Sequence, residues 1–181
     1  MYRTLKIVVV AVVAATALAA TAASRGADTV QEKNKAVVKR FEEEFKNKAN
    51  LNIVDELFAP DFVHQLPLPG VPPGREGLKG VGASIFQAFS HEKLRVNVEL
   101  CMADGDHVIT RTRVKAVHTG PFNGVPATGK EVGWTESTIF RLKDGKIVEM
   151  IGEGNFLGLM AQIGGLPPPP QQKPQAGAGP R

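Results

Sequence analysis

From Leu94 to Met102 the chain alternates: Leu94, Val96, Val98, Leu100 and Met102 are apolar, and Arg95, Asn97, Glu99 and Cys101 stand between them. A period of two over this length describes an extended strand with one buried face. Such a strand cannot stand alone, because its amides need neighbouring strands and its apolar face needs a cover. The neighbours follow in the chain. Ala103 to Asp106 reads as a turn, Val108 to His118 as a second long strand and Lys130 to Leu142 as a third, and Asp144-Gly145 turns the chain into a fourth over 146–153.

The cover precedes the strands. Val30, Val37, Val38, Phe41 and Phe45 recur at helical spacing with Lys and Glu between them, which predicts an amphipathic helix over 30–48. Thr29 and Glu32 have the spacing of a capping box at its start. A second, short helix is expected from Leu51 to Phe58, stopped by Ala59-Pro60, and then a strand limited to Asp61–Gln65. Pro67, Pro69, Pro72 and Pro73 remove amide donors and make the next segment a stiff loop. A third helix, Arg75 to Phe89, places Leu78, Val81, Ile85 and Phe89 on one side, with Gly77, Gly80 and Gly82 lowering its helicity or permitting close packing. Helices first and antiparallel strands afterwards define an α+β domain with helices on one face of a curved sheet.

At 181 residues the chain suits one domain, expected over 28–165. Before it, Arg3 and Lys6 precede the uncharged run "IVVVAVVAATALAATAA", Ile7 to Ala23, which ends in small residues. This is the pattern of a signal peptide over 1–23 and predicts a secreted or periplasmic protein with no membrane attachment after cleavage. Cys101 is the only cysteine and closes no bridge within the chain, so it reads as a small buried or interface residue. Loss of residues 1–22 removes Arg3 and Lys6 from a net charge of +4, leaving +2. Basic and acidic residues are mixed, as in "KRFEEEFKNK", so no basic stripe suggests nucleic acid. The tail over 166–181, "LPPPPQQKPQAGAGPR", has no apolar period and reads as disordered.

No metal or phosphate motif is present, and His64, His91, His107 and His118 lack metal-ligand spacing, so no cofactor is expected and the chemistry must come from side chains. On the third long strand Val132, Trp134, Glu136, Thr138, Phe140 and Leu142 share a face. A carboxylate between Trp134 and Phe140 is the sharpest anomaly in the sequence. Burial there would raise its pKa into the range useful for acid/base catalysis. The other reading pairs Glu136 with an arginine such as Arg111 or Arg113, or places it at an oligomer interface. His118 shares a face with Thr110, Thr112, Val114 and Ala116, and reads either as a rim residue or as a hydrogen-bonded structural histidine. His64 shares a face with Phe62 and could reach the same cavity from the opposite wall, or simply orient the proline loop. Trp134 reads as pocket wall or core. His91 and His107 read as exposed. In "IVEMIGEGNFLG", Ile147 to Gly158, Gly152 and Gly154 leave two positions empty on one face of the last strand.

The segments "NKAVVKRFEEEFKNKANLNIVDELFAPDFV", "PGVPPGREGLKG", "HTGPFNGVPATGKEV" and "IFRLKDGKIVEMIGEGNFLGLMAQIG" resemble the SnoaL-like polyketide cyclase, or ester cyclase, family of the nuclear transport factor two-like superfamily, from about Asn34 to Gly164. The resemblance implies a cone-shaped α+β barrel, in which a curved sheet and three N-terminal helices enclose an apolar pocket, assembled as a homodimer through the sheet. It also implies cofactor-free intramolecular aldol closure with a pocket aspartate as acid/base. That aspartate falls on Gly152, its supporting glutamine on Glu136, a histidine on Thr138 and an asparagine on His64. Met150, Ile151 and Asn155 replace the His, first Trp and second Asp of a common family ending. The sequence therefore yields an expectation of an exported cyclase- or isomerase-like enzyme acting on a small apolar carbonyl compound. Glu136 is its relocated acid/base and His64 its polarising group, and Phe62, His118, Trp134, Thr138, Met150, Gly152 and Asn155 line the pocket. The alternative is a non-catalytic module that binds an apolar ligand or assembles through its sheet.

Overall fold

The computed structural model describes residues 26, 28–65 and 70–167. The expectations for residues 1–23, for Pro67 and Pro69, and for the tail beyond 167 lie outside the described residues. Helix α1 is already formed at 28 and runs to 41, where it widens into a π-helical segment, Glu42–Asn47. Thr29 therefore sits inside the helix, its hydroxyl donating to the Gly26 carbonyl at 2.7 Å, and the expected capping box does not begin it. Helix α2 (Ile53–Leu57) leads into strand β1 (Phe58–His64), helix α3 (Gly74–Ala88) follows, and β2 (Arg95–Asp104), β3 (His107–Val117), β4 (Glu131–Lys143), β5 (Lys146–Gly154) and α4 (Phe156–Ile163) complete the domain.

The five strands form one open sheet in the order β1-β5-β4-β3-β2, antiparallel except for the parallel pair β1–β5. Strand β1 starts earlier than expected and contains Pro60, which an edge strand tolerates because its outer side needs no amide donor. Helix α1 lies across the inner face, its Phe41 ring 5.8 Å from Phe140 of β4 and 5.0 Å from Phe58 of β1. Helix α3 packs closely on the end of α1: a Cβ at Gly82 would stand 2.5 Å from the Phe45 ring, so only glycine allows this approach.

The inner face carries two apolar clusters. One joins α1, α2 and β1 to Val108, Phe140, Leu142 and Met150, and the other joins Phe89, Leu94 and Val96 to Val114, Ala116, Val132, Trp134, Leu159 and Ile163. Val132 to Leu142 share the inner face of β4 as their period predicts.

The period of β2 is broken halfway. Val98 pairs with Thr112 and Leu100 with the adjacent Arg111, so a bulge at Glu99 inserts one residue and reverses which side chains point inward. Cys101 and Ala103 consequently pack on the first cluster, whereas Leu100 and Met102, expected inside, are 43% and 52% exposed.

Two side-chain amides complete strand edges. Asn47 accepts from the Val96 amide at 2.7 Å and donates to the Val96 carbonyl at 3.1 Å on edge strand β2. Gln162 of α4 does the same at Gly133, accepting at 2.9 Å and donating at 2.8 Å, where β4 runs past the end of β5. Each replaces a missing strand and fixes a helix to the sheet. Asn47→Ala is expected to lower the unfolding free energy by about 1–3 kcal/mol, one to two part-buried hydrogen bonds, as read by urea denaturation.

Candidate functional site

Between the two apolar clusters the inner face turns polar. Along β3 the order is Ala116, Val114, then Thr112, Thr110, then Val108, and along β4 it is Val132, Trp134, then Glu136, Thr138, then Phe140. Register aligns these into two rows across the sheet, Thr112–Glu136–Gly154 and Thr110–Thr138–Gly152. Alternation on each strand is intact here. What changes is the chemistry of the inward residues.

The π-helical end of α1 lies over this band. Its wider turn directs both Glu42 and Lys46 down onto the sheet, in a conformation that is rare and recurs at functional sites. Lys46 Nζ stands 2.7 Å from Glu136 Oε2 and 2.8 Å from Glu42 Oε2. Trp134 Nε1 donates to the other Glu136 oxygen at 2.7 Å, and Thr110 donates to Glu42 Oε1 at 3.2 Å. The Thr112 hydroxyl is buried beside them with no hydrogen-bond partner among the described residues. The result is one ammonium between two carboxylates. Glu42 is sealed at 1% side-chain exposure, while Lys46 and Glu136 keep 18% and 19%.

This overturns the expected electrostatics of Glu136. Burial does push its carboxyl upward, and it is the largest single influence, but the Lys46 charge and the hydrogen bonds from Lys46 and Trp134 together outweigh it and hold the pKa below the ordinary glutamate range. The Lys46 ammonium is opposed by the same burial and supported by both carboxylates, with its pKa raised as the outcome. Arg111 and Arg113, considered as partners from sequence, lie on the outer face against Glu99.

The other candidate residues separate. His64, half-buried, aligns with Met150, which aligns with Phe140; Glu136 is four residues further along β4. That is roughly 13 Å along the strand and roughly 10 Å across two strand spacings, so the sheet does not bring His64 and Glu136 together. Burial lowers the His64 pKa. Phe62 and Met150 are core residues of the first cluster. Thr138 is buried in the polar band, and a Cβ on Gly152 would come no closer than 3.6 Å to its hydroxyl, leaving room where the family's aspartate is expected.

The second empty position, Gly154, is filled by the Phe156 ring. Asn155 caps α4, its Oδ1 accepting from the Gly158 amide at 3.0 Å. His118, expected at a rim, is fully buried at the far end of β3, with Nδ1 3.0 Å from the Thr128 hydroxyl, Nε2 without a hydrogen-bond partner among the described residues, and its ring against Phe89. His91 is half-buried against Phe86 and His107 is exposed beside Asp106. A cavity of about 230 Å³ borders Arg113, Lys115, Trp134, Thr135, Asn155 and Gln162. No group of acidic, histidine or cysteine side chains among the described residues could hold a metal ion.

Residues 36–163 match the model of the SnoaL-like polyketide cyclase family. The chain belongs to that family. Among solved structures it is similar to a candidate SnoaL-like polyketide cyclase from Jannaschia sp. CCS1, with 28% identity over 76% of this chain and 95% of that one and a TM-score of 0.67. It is similar to AclR, a candidate hydroxylase from Streptomyces galilaeus, with 28% identity over 76% and 99% and a TM-score of 0.66. A third is IdmH, a candidate polyketide cyclase from Streptomyces antibioticus, with 32% identity over 72% and 98% and a TM-score of 0.63. No protein of curated function matches the chain. Membership suggests a cofactor-free cyclase- or isomerase-like role.

Sequence reasoning found Glu136 and missed Glu42 and Lys46. The available signal was their spacing of four within one helix, which reads equally as a solvated surface pair.

The triad makes stability depend on pH. A carboxylate with a depressed folded pKa adds stability above the ordinary carboxylate range, and that share is lost as pH falls through the lowered value. Trp134, the only tryptophan, bonds directly to Glu136 and reports the event. Its emission is expected to titrate with a midpoint below the ordinary glutamate range. Lys46→Met, which leaves two carboxylates without a counter-charge, is expected to cost about 3–5 kcal/mol at neutral pH by chemical denaturation and to move that midpoint upward.

Proposed function

We propose that the protein is a cofactor-independent cyclase- or isomerase-like enzyme for a small, largely apolar carbonyl compound, with the Glu136–Lys46 pair as its reacting groups. The observation that carries this reading is the graded exposure of the triad: Glu42 is sealed, while the carboxylate and ammonium in front of it remain within reach. The substrate's carbonyl oxygen accepts a hydrogen bond from Lys46, and Glu136 removes a proton from the adjacent carbon. Negative charge leaves Glu136 as it arrives on the substrate oxygen. Both positions face the same ammonium, so Lys46 stabilises the charge throughout and the depressed basicity of Glu136 is offset in the transition state. The proton on Glu136 then returns to another carbon of the enolate, which completes an isomerisation. In a ring closure the enolate carbon bonds to a second carbonyl, and the resulting alkoxide takes the proton back. Lys46 thus fills the polarising role that sequence reasoning gave to His64.

A non-catalytic ligand carrier is the second reading, favoured by the hydrogen bonds that occupy both Glu136 oxygens. One experiment separates them. With acetophenone in D₂O, the wild-type protein is expected to accelerate deuterium incorporation at the methyl carbon, followed by proton NMR, and Glu136→Gln to lose roughly 10²-fold or more of that rate. Binding without accelerated exchange would leave the carrier.

The leader over 1–23 supports export, and no helix among the described residues is long and apolar enough to cross a membrane. A second copy of the chain is the proposed partner. The outer face presents a row of Met102, Ile109, Ile139 and Ile151, aligned across four strands, with Leu100 beside it. The adjacent row places Arg111 and Glu153 two strands apart, on either side of β4, so a twofold axis parallel to β4 and perpendicular to the stripe sets one copy's arginine against the other's glutamate. Ile139→Asp is expected to convert a dimer to a monomer in sedimentation velocity without changing the fold; an unchanged sedimentation coefficient would remove this interface.

A further inference from the structure

The cavity of about 230 Å³ lies on the outer side of the sheet, where β5 has ended and α4 takes its place beside Gly133. Arg113 and Lys115 of β3 and Thr135 of β4 project outward here. Val114 and Trp134 also border the cavity, but their side chains belong to the inner-face core. Register sets Arg113 across from Thr135 and Lys115 across from Gly133. Gly133 has no side chain, so nothing from β4 fills the space in front of the Lys115 ammonium. Asn155 is held on the other side of Thr135, its amide donating to the Thr135 carbonyl at 2.9 Å.

The acceptors of this wall are already occupied. Gln162 Oε1 accepts from the Gly133 amide at 2.9 Å, the Gly133 carbonyl accepts from Gln162 Nε2 at 2.8 Å, and Asn155 Oδ1 accepts from the Gly158 amide at 3.0 Å. The donors are not. Lys115 Nζ, the Thr135 hydroxyl and Asn155 Nδ2 donate to no acceptor among the described residues, and Arg113 engages only its Nε, with Glu99 at 2.5 Å. Glu99 is shared with Arg111 at 3.7 Å, and Glu131 and Glu153, the outer-face acids of β4 and β5, pair with neither cation among the described residues. A concave wall of unused donors with surplus positive charge is the complement of an oxyanion.

We propose that this cavity is a phosphate site that takes a small phosphate monoester. The free edge of the Arg113 guanidinium supplies directed N–H bonds and Lys115 a point charge, which together balance a dianion. Thr135 and Asn155 reach the same space from β4 and from the start of α4, so donors approach from three elements and suit a tetrahedral group better than a planar carboxylate. The positive end of the α4 dipole, at Asn155, adds to the attraction. No apolar side chain lines the walls, and the volume is below the roughly 300–1,000 Å³ of a drug-sized pocket, so the body of the ligand is small and polar. Ile109–Ile139, the nearest row of the apolar stripe, lies four residues along the strands from Arg113–Thr135, roughly 13 Å. The site does not depend on the Glu136–Lys46 pair, and its ligand is separate from any substrate there.

Glycerol 3-phosphate at about pH 7.5, where its phosphate is a dianion, is expected to move the backbone amide resonances of Thr135 and Asn155 in two-dimensional heteronuclear NMR, with a Kd of about 1 mM or tighter. Inorganic phosphate is expected to move the same resonances, and malonate, a planar dicarboxylate of equal charge, to bind at least about 5-fold more weakly. Lys115→Gln and Arg113→Gln are each expected to weaken glycerol 3-phosphate roughly 10-fold or more, the loss of a charge-assisted hydrogen bond, and Thr135→Val about 3-fold with charge unchanged. Lys143→Gln removes the same charge from the other end of β4 and is expected to leave the affinity as it is. Urea midpoints check folding, and Lys115→Gln, which breaks no contact among the described residues, keeps the test valid if another variant is destabilised. If neither phosphate compound moves these resonances, if Lys143→Gln weakens binding as much as Lys115→Gln, or if malonate binds as tightly, the phosphate site is overturned.

Discussion

The ammonium of Lys46 is the interaction on which the centre of this molecule depends. Two carboxyl groups lie under a helix in a region where isolated charge is heavily penalised, and the Lys46 ammonium stands between them. The cation comes from α1, one carboxylate from the same helix and the other from β4, so the triad also fastens the helix to the middle of the sheet. Trp134 and Thr110 satisfy the outer oxygens. The charges are paid for by their mutual attraction, and the position of α1 is tied to that balance.

The sheet around the triad is shaped by departures from regularity rather than by regular alternation. A bulge at Glu99 turns Leu100 and Met102 outward and brings Cys101 in, which creates an apolar outer stripe and a closely filled inner wall in one step. Open edges that would otherwise expose unpaired amides are closed by Asn47 on β2 and Gln162 on β4. Both residues lie on helices, so the same contacts that protect edges hold α1 and α4 to the sheet. The glycines of β5 serve the site differently: Gly152 leaves space beside Thr138, and Gly154 admits the Phe156 ring.

Much of this was legible residue by residue. The inner-face set on β4 follows from its period, and the chemical oddity of an acid within it marked Glu136 before any coordinates. The partner of that acid was not legible, because Glu42 and Lys46 sit in a charge-rich run that looks like an ordinary solvated helix face. The direction of the Glu136 pKa followed the same fate: burial alone argues for a raised value, and only the distance to Lys46 reverses it. His118 and His64 shared apolar faces with plausible pocket residues, but faces are long, and position along a strand separates residues that parity groups together.

The sequence by itself determined the order of helices and strands, the alternation that assigns inner and outer faces, and the family, because these depend on near-neighbour spacing and backbone preference. The tertiary structure alone decided which face β2 shows after its bulge, which cation meets Glu136 and which ring fills the gap at Gly154. Those outcomes join groups far apart in the chain, ninety positions in the case of Lys46 and Glu136, and they are set by where a widened helical turn and a bulged strand come to rest against each other.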